Sequence, residues 1–411
     1  MLRSLFSGIS GLRAHQQMMD VTGNNIANVN TTGYKTSQTV FQDTLSQMVS
    51  AAGSPQGTLG GTNPSQIGLG VRVASVNTNF GQGSAQTTGK ASDMMVQGDG
   101  FFVVKDGGES LYTRAGSFTF DANGALTTPN GQIVQGWSAT DGKVNNAGAP
   151  SNIVLPVGVT ISPTPTTKVT LTGNLSVDAQ AGVAADVRKM PIKAIYNADG
   201  AEVELMAAFE KQAAPSTSWT MTLYEADGVT AASDPTTIDF TAGRATGNGT
   251  PDEDGNLVVT TTGDVELTFD VSGLTQFAGP SEARVSNANG SAAGNLRSYT
   301  VSNTGEIVGV FSNGLTEVLG QVALANFNNV EGLEKVGGSM FRSTTNSGLA
   351  QVGQAGTTGL GMITSGALEM SNVDLAQEFT NLVVAQRGFQ ANSRVITTSD
   401  EILQELVNLK R

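Results

Sequence analysis

The chain has 411 residues, with 22 Lys and Arg against 35 Asp and Glu, and a formal net charge of −13. It contains no cysteine and a single histidine, His15. This composition excludes disulfides, thiolate metal sites, an H-E-x-x-H zinc site and a Ser-His-Asp triad elsewhere in the chain. The acidic balance argues against a nucleic-acid partner, because nucleic-acid binding requires a basic face.

The length favours two to four domains rather than one core. The charge is uneven: fifteen acidic and two basic residues lie between Asp199 and Glu282, so this segment carries the whole imbalance. A strongly acidic segment is best placed in solvent. No apolar run approaches the length of a membrane span, and we expect no membrane insertion and no cofactor.

The first residues predict an amphipathic helix. Its apolar positions recur at alternating steps of three and four, as in a coiled-coil seam. They are Leu2, Leu5, Ile9, Leu12, Met19 and Ile26. From Asn24 to Lys35 asparagine and glycine accumulate, which predicts that the helix stops or bends there.

The middle of the chain is predicted to be β-rich. Residues 36–70 are broken by glycine and proline and indicate an irregular, extended connector. Strand and turn signals from Val71 to Trp137 indicate a β meander, with turns at 121–124 and at Asn130-Gly131. A proline cluster then introduces a second all-β region, a sandwich or barrel inserted into the first. The first domain resumes near Leu296, and a glycine-rich connector follows.

The last forty residues predict a long helix from Ser371 to Lys410, with Ser371 as N-cap and Asp374 as its reciprocal acid. A seven-residue spacing gives a narrow apolar seam. The seam comprises Leu375, Leu382, Phe389, Ile396 and Leu403, with Phe379 and Val407 on a second row. A helix this long cannot bury a narrow apolar seam against itself, so the seam needs other helices to cover it.

We therefore predict a multidomain, mainly β chain whose N- and C-terminal helices pair as a coiled coil around nested β domains. The periodicity alone leaves open that each helix packs separately on a core. The predicted parts are 1–34 with 367–411 as the helical coiled coil, 35–70 with 348–366 as connector, 71–149 with 291–347 as first β domain, and 150–290 as inserted acidic β domain.

Three weaker site patterns have structural explanations. Gly68-x-Gly70 and Gly98-x-Gly100 lack the third glycine of a nucleotide loop. The run from Asp252 to Asn256 has its glycine two positions too early for a calcium loop, which favours an acidic hairpin turn. A glycosidase carboxylate pair is compatible with the composition, but no motif points to one. We expect no enzyme activity.

Four stretches together resemble the axial proteins of the bacterial flagellum, the rod, hook and hook-associated subunits. The first has the A-N-x-x-T-x-G-[FY]-[KR] signature at Ala27, Asn28, Thr31, Gly33, Tyr34 and Lys35. The others are Val96–Phe102, Tyr112–Gly116 with its Asp-x-Asn-Gly turn, and the tail from Ser371 through Asn392. The resemblance covers about residues 1–140 and 296–411 and leaves the inserted region unmatched. The length favours the hook subunits within this family.

The resemblance implies a self-assembling subunit of a hollow, curved tube that transmits torque from rod to filament. It implies that the terminal helices line the inner tube, that the insert faces outward, and that the other partners are rod, hook-cap and hook–filament junction proteins. It also implies type III export to an extracellular hook. The absence of a cleavable signal pattern at the N-terminus agrees with such export.

Two other readings of the sequence stay open. A distal rod subunit would form a straight, stiff polymer, and a secreted β-rich adhesin or hydrolase would be a stable monomer. The helix-stop segment after Ile26 could likewise be a helix stop and nothing more.

Overall fold

A computed structural model describes residues 2–55, 57, 60–140, 142–155, 158, 160–184, 186–213, 217–246, 250–251, 256–261, 266–357 and 359–408. The chain divides into two compact units. The first unit is Met1–Val157 with Tyr299–Gly309 and Glu317–Arg411, and the second is Gly158–Ser298 with Val310–Thr316. The first unit is thus made from both ends of the chain.

Two helices occupy the ends of the first unit, α1 (Leu2–Ala27) and α2 (Leu375–Asn408). Gly8 and Gly11 of α1 lie against Ile396 and Asn392 of α2, and Gly388 lies against His15, so the helices run antiparallel. The predicted pairing of the terminal helices is therefore confirmed. With 34 residues α2 is about 51 Å long, at a rise of about 1.5 Å per residue.

The cap of α2 differs from the prediction. Asp374, and not Ser371, is the N-cap, because its Oδ1 accepts hydrogen bonds from the backbone N–H groups of Ala376 (2.9 Å) and Gln377 (3.2 Å). Ser371 lies three residues before this cap. A carboxylate also interacts favourably with the positive end of the helix dipole. The end of the predicted helix, Lys410, lies outside the described residues.

Most of the chain between the helices is β structure. The strands before the second unit are β1 (Ser37–Asp43), β2 (Ser46–Ser50), β3 (Ser65–Gly68), β4 (Val71–Thr78), β5 (Ala85–Thr87), β6 (Met94–Gln97), β7 (Phe101–Asp106), β8 (Glu109–Thr113), β9 (Thr119–Phe120), β10 (Leu126–Thr127), β11 (Ile133–Thr140), β12 (Lys143–Val144) and β13 (Ser151–Asn152).

Twelve further strands follow up to the return into the first unit. They are β14 (Thr160–Ile161), β15 (Lys168–Asn174), β16 (Arg188–Tyr196), β17 (Glu202–Lys211), β18 (Ser218–Glu225), β19 (Thr236–Thr241), β20 (Arg244–Ala245), β21 (Thr250–Pro251), β22 (Leu257–Thr260), β23 (Glu266–Thr275), β24 (Arg284–Ala288) and β25 (Gly294–Val301). The last seven are β26 (Glu306–Phe311), β27 (Thr316–Asn326), β28 (Glu334–Gly337), β29 (Met340–Arg342), β30 (Gln351–Gln354), β31 (Met362–Ser365) and β32 (Ala367–Glu369), with a 3₁₀ turn at Val330–Gly332.

The two predicted connectors contain regular strands. β1 pairs antiparallel with β4, and β2 with β3, so residues 37–50 and 65–78 form a two-stranded ribbon instead of an irregular segment. Every residue of β2 and β3 is exposed. A ribbon with two wet faces has no apolar alternation for sequence analysis to detect. In the second connector, β30 pairs with β27 and β31 with β6.

The core of the first unit lies on the sheet β27-β11-β7-β8-β29-β28. Phe102, Val104, Leu126, Val134 and Leu324 are fully buried in it. The predicted turns are present. Asp121 Oδ1 accepts from the N–H groups of Asn123 and Ala125, and the N–H of Gly131 donates to the Thr128 carbonyl.

The second unit is an all-β unit with its own core. Its main sheet has the order β16-β17-β18-β19-β20-β23-β15-β24, in which β15 and β23 pair in parallel. Trp219, Phe209 and Phe269 are fully buried in it. A turn at Asp199-Gly200 joins β16 to β17. Residues 252–255 of the calcium-like run lie outside the described residues.

Candidate functional site: the junction after the first helix

The signature segment begins where α1 ends. Ala27 is the last residue of α1. Asn28 Nδ2 donates to the Asn24 carbonyl at 2.9 Å, and Asn28 Oδ1 accepts from the Thr31 hydroxyl at 3.0 Å. The Asn28 side chain therefore bonds neighbouring backbone and side-chain groups at the point where the helical hydrogen bonds end.

Gly33 fits a position that a side chain cannot occupy. Its φ is 66°, in the left-handed region, and its N–H donates to the Glu369 carbonyl at 2.8 Å. A Cβ at this position would lie 2.4 Å from the backbone nitrogen of Ala115. Both the backbone conformation and the close approach require glycine.

Two residues later, Lys35 enters a buried ionic cluster. Its Nζ lies 2.7 Å from Glu369 Oε1, and both side chains are fully buried. Lys35 Nζ also donates to the Gly81 carbonyl at 2.9 Å, while Glu369 Oε1 accepts from the Gly83 N–H at 2.8 Å. Arg114 Nη1 lies 3.6 Å from the second carboxylate oxygen, Oε2. We call Lys35, Glu369 and Arg114 the junction cluster.

The junction cluster places one carboxylate between two cations. Burial lowers the pKa of Lys35, while the hydrogen bond and charge of Glu369 oppose this shift. Burial also lowers the pKa of Arg114, against the charges of Glu369 and Asp99. The guanidinium lies 5.1 Å from the centre of the Phe101 ring, so the cation–π contact compensates part of its lost hydration.

Two asparagines extend the junction on either side. Asn25 Oδ1 accepts from the Ser37 N–H at 3.0 Å and from the Tyr34 hydroxyl at 3.1 Å, and Asn25 Nδ2 donates to the Ser37 carbonyl. Asn372 Oδ1 accepts from the Thr36 N–H at 2.8 Å. Each amide thus replaces a backbone partner, so α1, the signature segment and the residues before α2 form one hydrogen-bonded unit.

The sequence patterns identified Lys35 but not Glu369 and Arg114, the other members of the junction cluster. They also did not predict the hydrogen bonds of Asn25 and Asn372 beside it. A single Glu, Arg or Asn has no local pattern that reveals which residue it contacts in the folded chain. One signal in the sequence could have indicated the cluster: Lys35 directly follows Gly33 and Tyr34 in the signature. A lysine that is buried needs a carboxylate beside it, so this position calls for an acidic partner.

The predicted assembly residues lie on the two helices. Leu5, Leu12, Met19, Ile26, Leu382, Phe389, Ile396 and Leu403 are half-buried, and Ile9, Leu375, Phe379 and Val407 are exposed. The side chain of Leu2 lies outside the described part. The described buried positions of the helices are instead Gly8, Gly11, Ala14, Thr22, Asn25, Glu378, Ala385 and Ser399. Small residues bring the helices close and leave the larger apolar side chains at the rim.

The signature segment also lines a cleft of about 440 Å³, together with the β28–β29 turn. Its lining includes Asn28, Tyr34, Asn130, Lys335 and Ser339.

In the part of the chain that the structure describes, no three His, Asp or Glu residues are grouped so that they could hold a metal ion. Neither described helix is long and apolar enough to cross a membrane.

Three family models match the chain. Flagella basal body rod protein matches residues 5–35, the flagellar hook protein FlgE/F/G D1 domain matches 95–179, and the flagellar basal body rod FlgEFG protein C-terminal domain matches 364–409. The first and last models cover the two sides of the junction, including Lys35 and Glu369.

Full-length relatives agree with these models. The chain is 39% identical to the flagellar hook protein FlgE of Borreliella burgdorferi over 100% of both chains, and 38% identical to that of Treponema pallidum, also over 100% of both. The flagellar basal-body rod protein FlgG of Bacillus subtilis is 30% identical over 100% of both chains.

A solved structure shows the same fold. The Helicobacter pylori flagellar hook protein FlgE2 matches with a TM-score of 0.52 and 16% identity, over 69% of this chain and 100% of that one. The paired terminal helices, the β units between them and the full-length relatives lead to one assignment: the chain belongs to the flagellar hook protein family, whose members are structural subunits of the flagellum.

Proposed function

We propose that this hook subunit polymerises through the outward faces of its terminal helices, which become fully ordered only between copies. The observation that carries the proposal is the exposed apolar surface on both helices. Phe6 is 68% exposed, Val384 55% and Val407 66%. Fully burying one such side chain contributes about 1.5–3 kcal/mol, so covering several of them would support a stable contact between copies.

The junction would then transmit force between the helices and the β structure of the first unit. Lys35 follows α1 and Glu369 precedes α2, and each chain segment is held by the other through the buried ion pair. A connection made of buried, paired groups resists displacement better than exposed loops do. The predicted assembly positions from Leu5 to Val407 would contact neighbouring copies in the polymer, while the junction cluster holds the helices in place.

The second unit would supply the outer, solvent-facing surface of the tube. The acidic segment from Asp199 to Glu282 lies within it, and repulsion between copies keeps such surfaces hydrated. Weak, wet contacts between outer surfaces would let neighbouring copies shift as the tube bends and rotates. The tube would thereby serve as a universal joint.

The hook subunit would act outside the cell, in contact with other axial proteins of the flagellum. The subunit would be exported by the flagellar type III apparatus to an extracellular hook. It would meet the rod at one end and the hook cap, later the hook–filament junction proteins, at the other. Its role would be mechanical, without catalysis.

Limited proteolysis of monomer and polymer, together with electron microscopy, tests the proposal. In the monomer, cleavage is expected within α1 and α2 and should stop at the junction near Gly33 and Glu369. In the polymer both helices should be protected, and images should show curved tubes. Equal resistance of free and polymerised helices would contradict the ordering step. Straight tubes of limited length would instead favour a rod-type subunit.

A further inference from the structure

An unfilled groove lies between α1 and the start of β4. It has a volume of about 480 Å³. Its lining includes Phe6, Ile9, Arg13, Val71, Arg72 and Val73. The three α1 residues are spaced by three and four and therefore share one helix face. The Val71 N–H donates to Ser10 Oγ at 3.2 Å, which holds β4 against α1.

This groove is apolar with a positive rim. Arg13 and Arg72 are its charged residues, and no acid is among the described residues that line it. Within the described residues Arg72 Nη2 bonds to Gln42 Oε1 at 3.1 Å, and neither arginine makes an ion pair. An occupant with an apolar face and adjacent carboxylates would complement it.

The outward side of α2 carries a face of that kind. Its exposed apolar residues follow the steps seven, four and seven, which is the spacing of a coiled-coil seam. They are Val384, Ala391, Val395 and Ile402. At 3.6 residues per turn this stripe lies about a quarter of a turn from the face of α2 that contacts α1. The stripe is therefore not covered by α1.

Charges along one flank of the stripe change sign. Arg387 and Arg394 lie beside its first half, and Glu401 and Glu405 lie beside Ile402 in its second half. All four are exposed. The second half of the stripe is thus apolar with a carboxylate flank, which complements the groove.

We propose that the Val395–Ile402 face of α2 from a second copy fills the groove between α1 and β4. Glu401 and Glu405 then face Arg13 and Arg72 of the first copy. The contact cannot form within one copy: Gly11 lies against Asn392 and Gly8 against Ile396, so the acids near Ile402 lie beside the first turn of α1, away from Arg13. Groove and stripe are different surfaces, so the contact is heterologous and can repeat without closing.

This inference rests on the proposed self-assembly and names one of its interfaces. The test compares critical concentrations for polymerisation of the full-length chain, by sedimentation and electron microscopy at low salt. We expect Arg13→Glu, and the double variant Glu401→Arg with Glu405→Arg, each to raise the critical concentration at least about tenfold, since like charges would meet across the contact. Lys90→Glu, an equal charge change at another exposed site, should leave it unchanged.

Rescue separates this contact from general damage. An equimolar mixture of an Arg13→Glu, Arg72→Glu chain and the Glu401→Arg, Glu405→Arg chain should polymerise near the wild-type concentration, because each groove then finds an oppositely charged stripe. The deficit of each variant alone should shrink in about 1 M salt, where the Debye length falls to about 3 Å.

Wild-type behaviour of Arg13→Glu, or a mixture no better than its components, would overturn the inference while leaving self-assembly intact. A wild-type chain that forms no tubes would instead contradict the proposed function itself. Cooperative unfolding of each variant monomer, measured beforehand, establishes that the variants fold.

Discussion

Lys35 and Glu369 are 334 positions apart in the chain, yet their side chains meet at 2.7 Å with no exposure to solvent. One follows the first helix and the other precedes the last, so a single ion pair fixes the bases of both helices. Its carboxylate also lies beside Arg114 and accepts from the Gly83 N–H. The termini of this long chain are thereby joined to the β structure at one point.

Replacing Lys35 by Met should destabilise the first unit by about 3–5 kcal/mol, because the change leaves the Glu369 carboxylate buried without its closest partner. The matched control is Arg342→Met. Its partner Glu109 is 47% exposed, and Arg342 itself is 40% exposed, so the loss there should be far smaller, because solvent screens an exposed ion pair. Urea unfolding, monitored through the transition of the first unit, measures the loss of unfolding free energy in both variants. Equal losses for the two variants would show that the buried pair has no special role.

Local sequence patterns predict the helices and turns of this fold but not the contacts that join them. Periodicity predicted α1 and α2, and glycine-containing pairs such as Asn130-Gly131 predicted turns, because both signals are local. The pair β2–β3 was missed, since every residue of both strands is exposed and the pair carries no apolar alternation.

The junction was half predicted. The signature led to Gly33 and Lys35, while Glu369 and Arg114 were missed because tertiary folding, and not spacing, brings them together. The residues that bring α1 and α2 together also differ from the predicted ones, for a related reason. Leucine spacing marked the apolar side of each helix, but the close approach depends on Gly11 and Gly388, which the heptad pattern does not register.

Gly33→Ala should unfold the junction more severely than a comparable change at another left-handed glycine. Gly131 has φ 88° and open space around it, so Gly131→Ala should cost about 1–2 kcal/mol of backbone strain. At Gly33 the same strain adds to a Cβ placed 2.4 Å from the Ala115 nitrogen. We therefore expect a larger loss of unfolding free energy for Gly33→Ala and protease cleavage near Lys35. A smaller effect at Gly33 than at Gly131 would refute the close packing.

Alkaline pH should weaken the signature segment through Tyr34. Burial, with a smaller effect of the Glu378 charge, raises the pKa of Tyr34 above 10.0. Above that pH the phenol ionises more readily in the unfolded chain than in the folded one, so its contribution to stability is lost as pH rises through the folded pKa. Lys35 acts in the opposite direction, because its pKa is lowered on folding.

Comparing Tyr34→Phe with wild type isolates the tyrosine contribution. The variant should start about 0.5–1.5 kcal/mol less stable at neutral pH, having lost the hydrogen bond to Asn25. Its unfolding free energy should then fall less steeply between pH 9 and pH 11 than that of wild type. Parallel pH profiles for the two proteins would rule out Tyr34 as the titrating group.

The helix pair offers the last test, because two glycines on it differ in their surroundings. A Cβ on Gly388 would lie 2.5 Å from His15 Nε2, whereas a Cβ on Gly23 would have no neighbouring atom within 4 Å. Ala is favoured over Gly in helices by about 1 kcal/mol, so Gly23→Ala should raise helix stability by that amount. Gly388→Ala should lower it by about 1–3 kcal/mol, since overpacking outweighs propensity.

Circular dichroism during thermal unfolding of the polymerised chain, in which we propose the helices are ordered, measures both changes. The double variant Gly388→Ala with His15→Ala should recover most of the loss, because removing the imidazole opens the space that the new methyl group needs. Failure of that rescue, with Gly23→Ala behaving as expected, would mean that Gly388 is required for a reason other than its contact with His15.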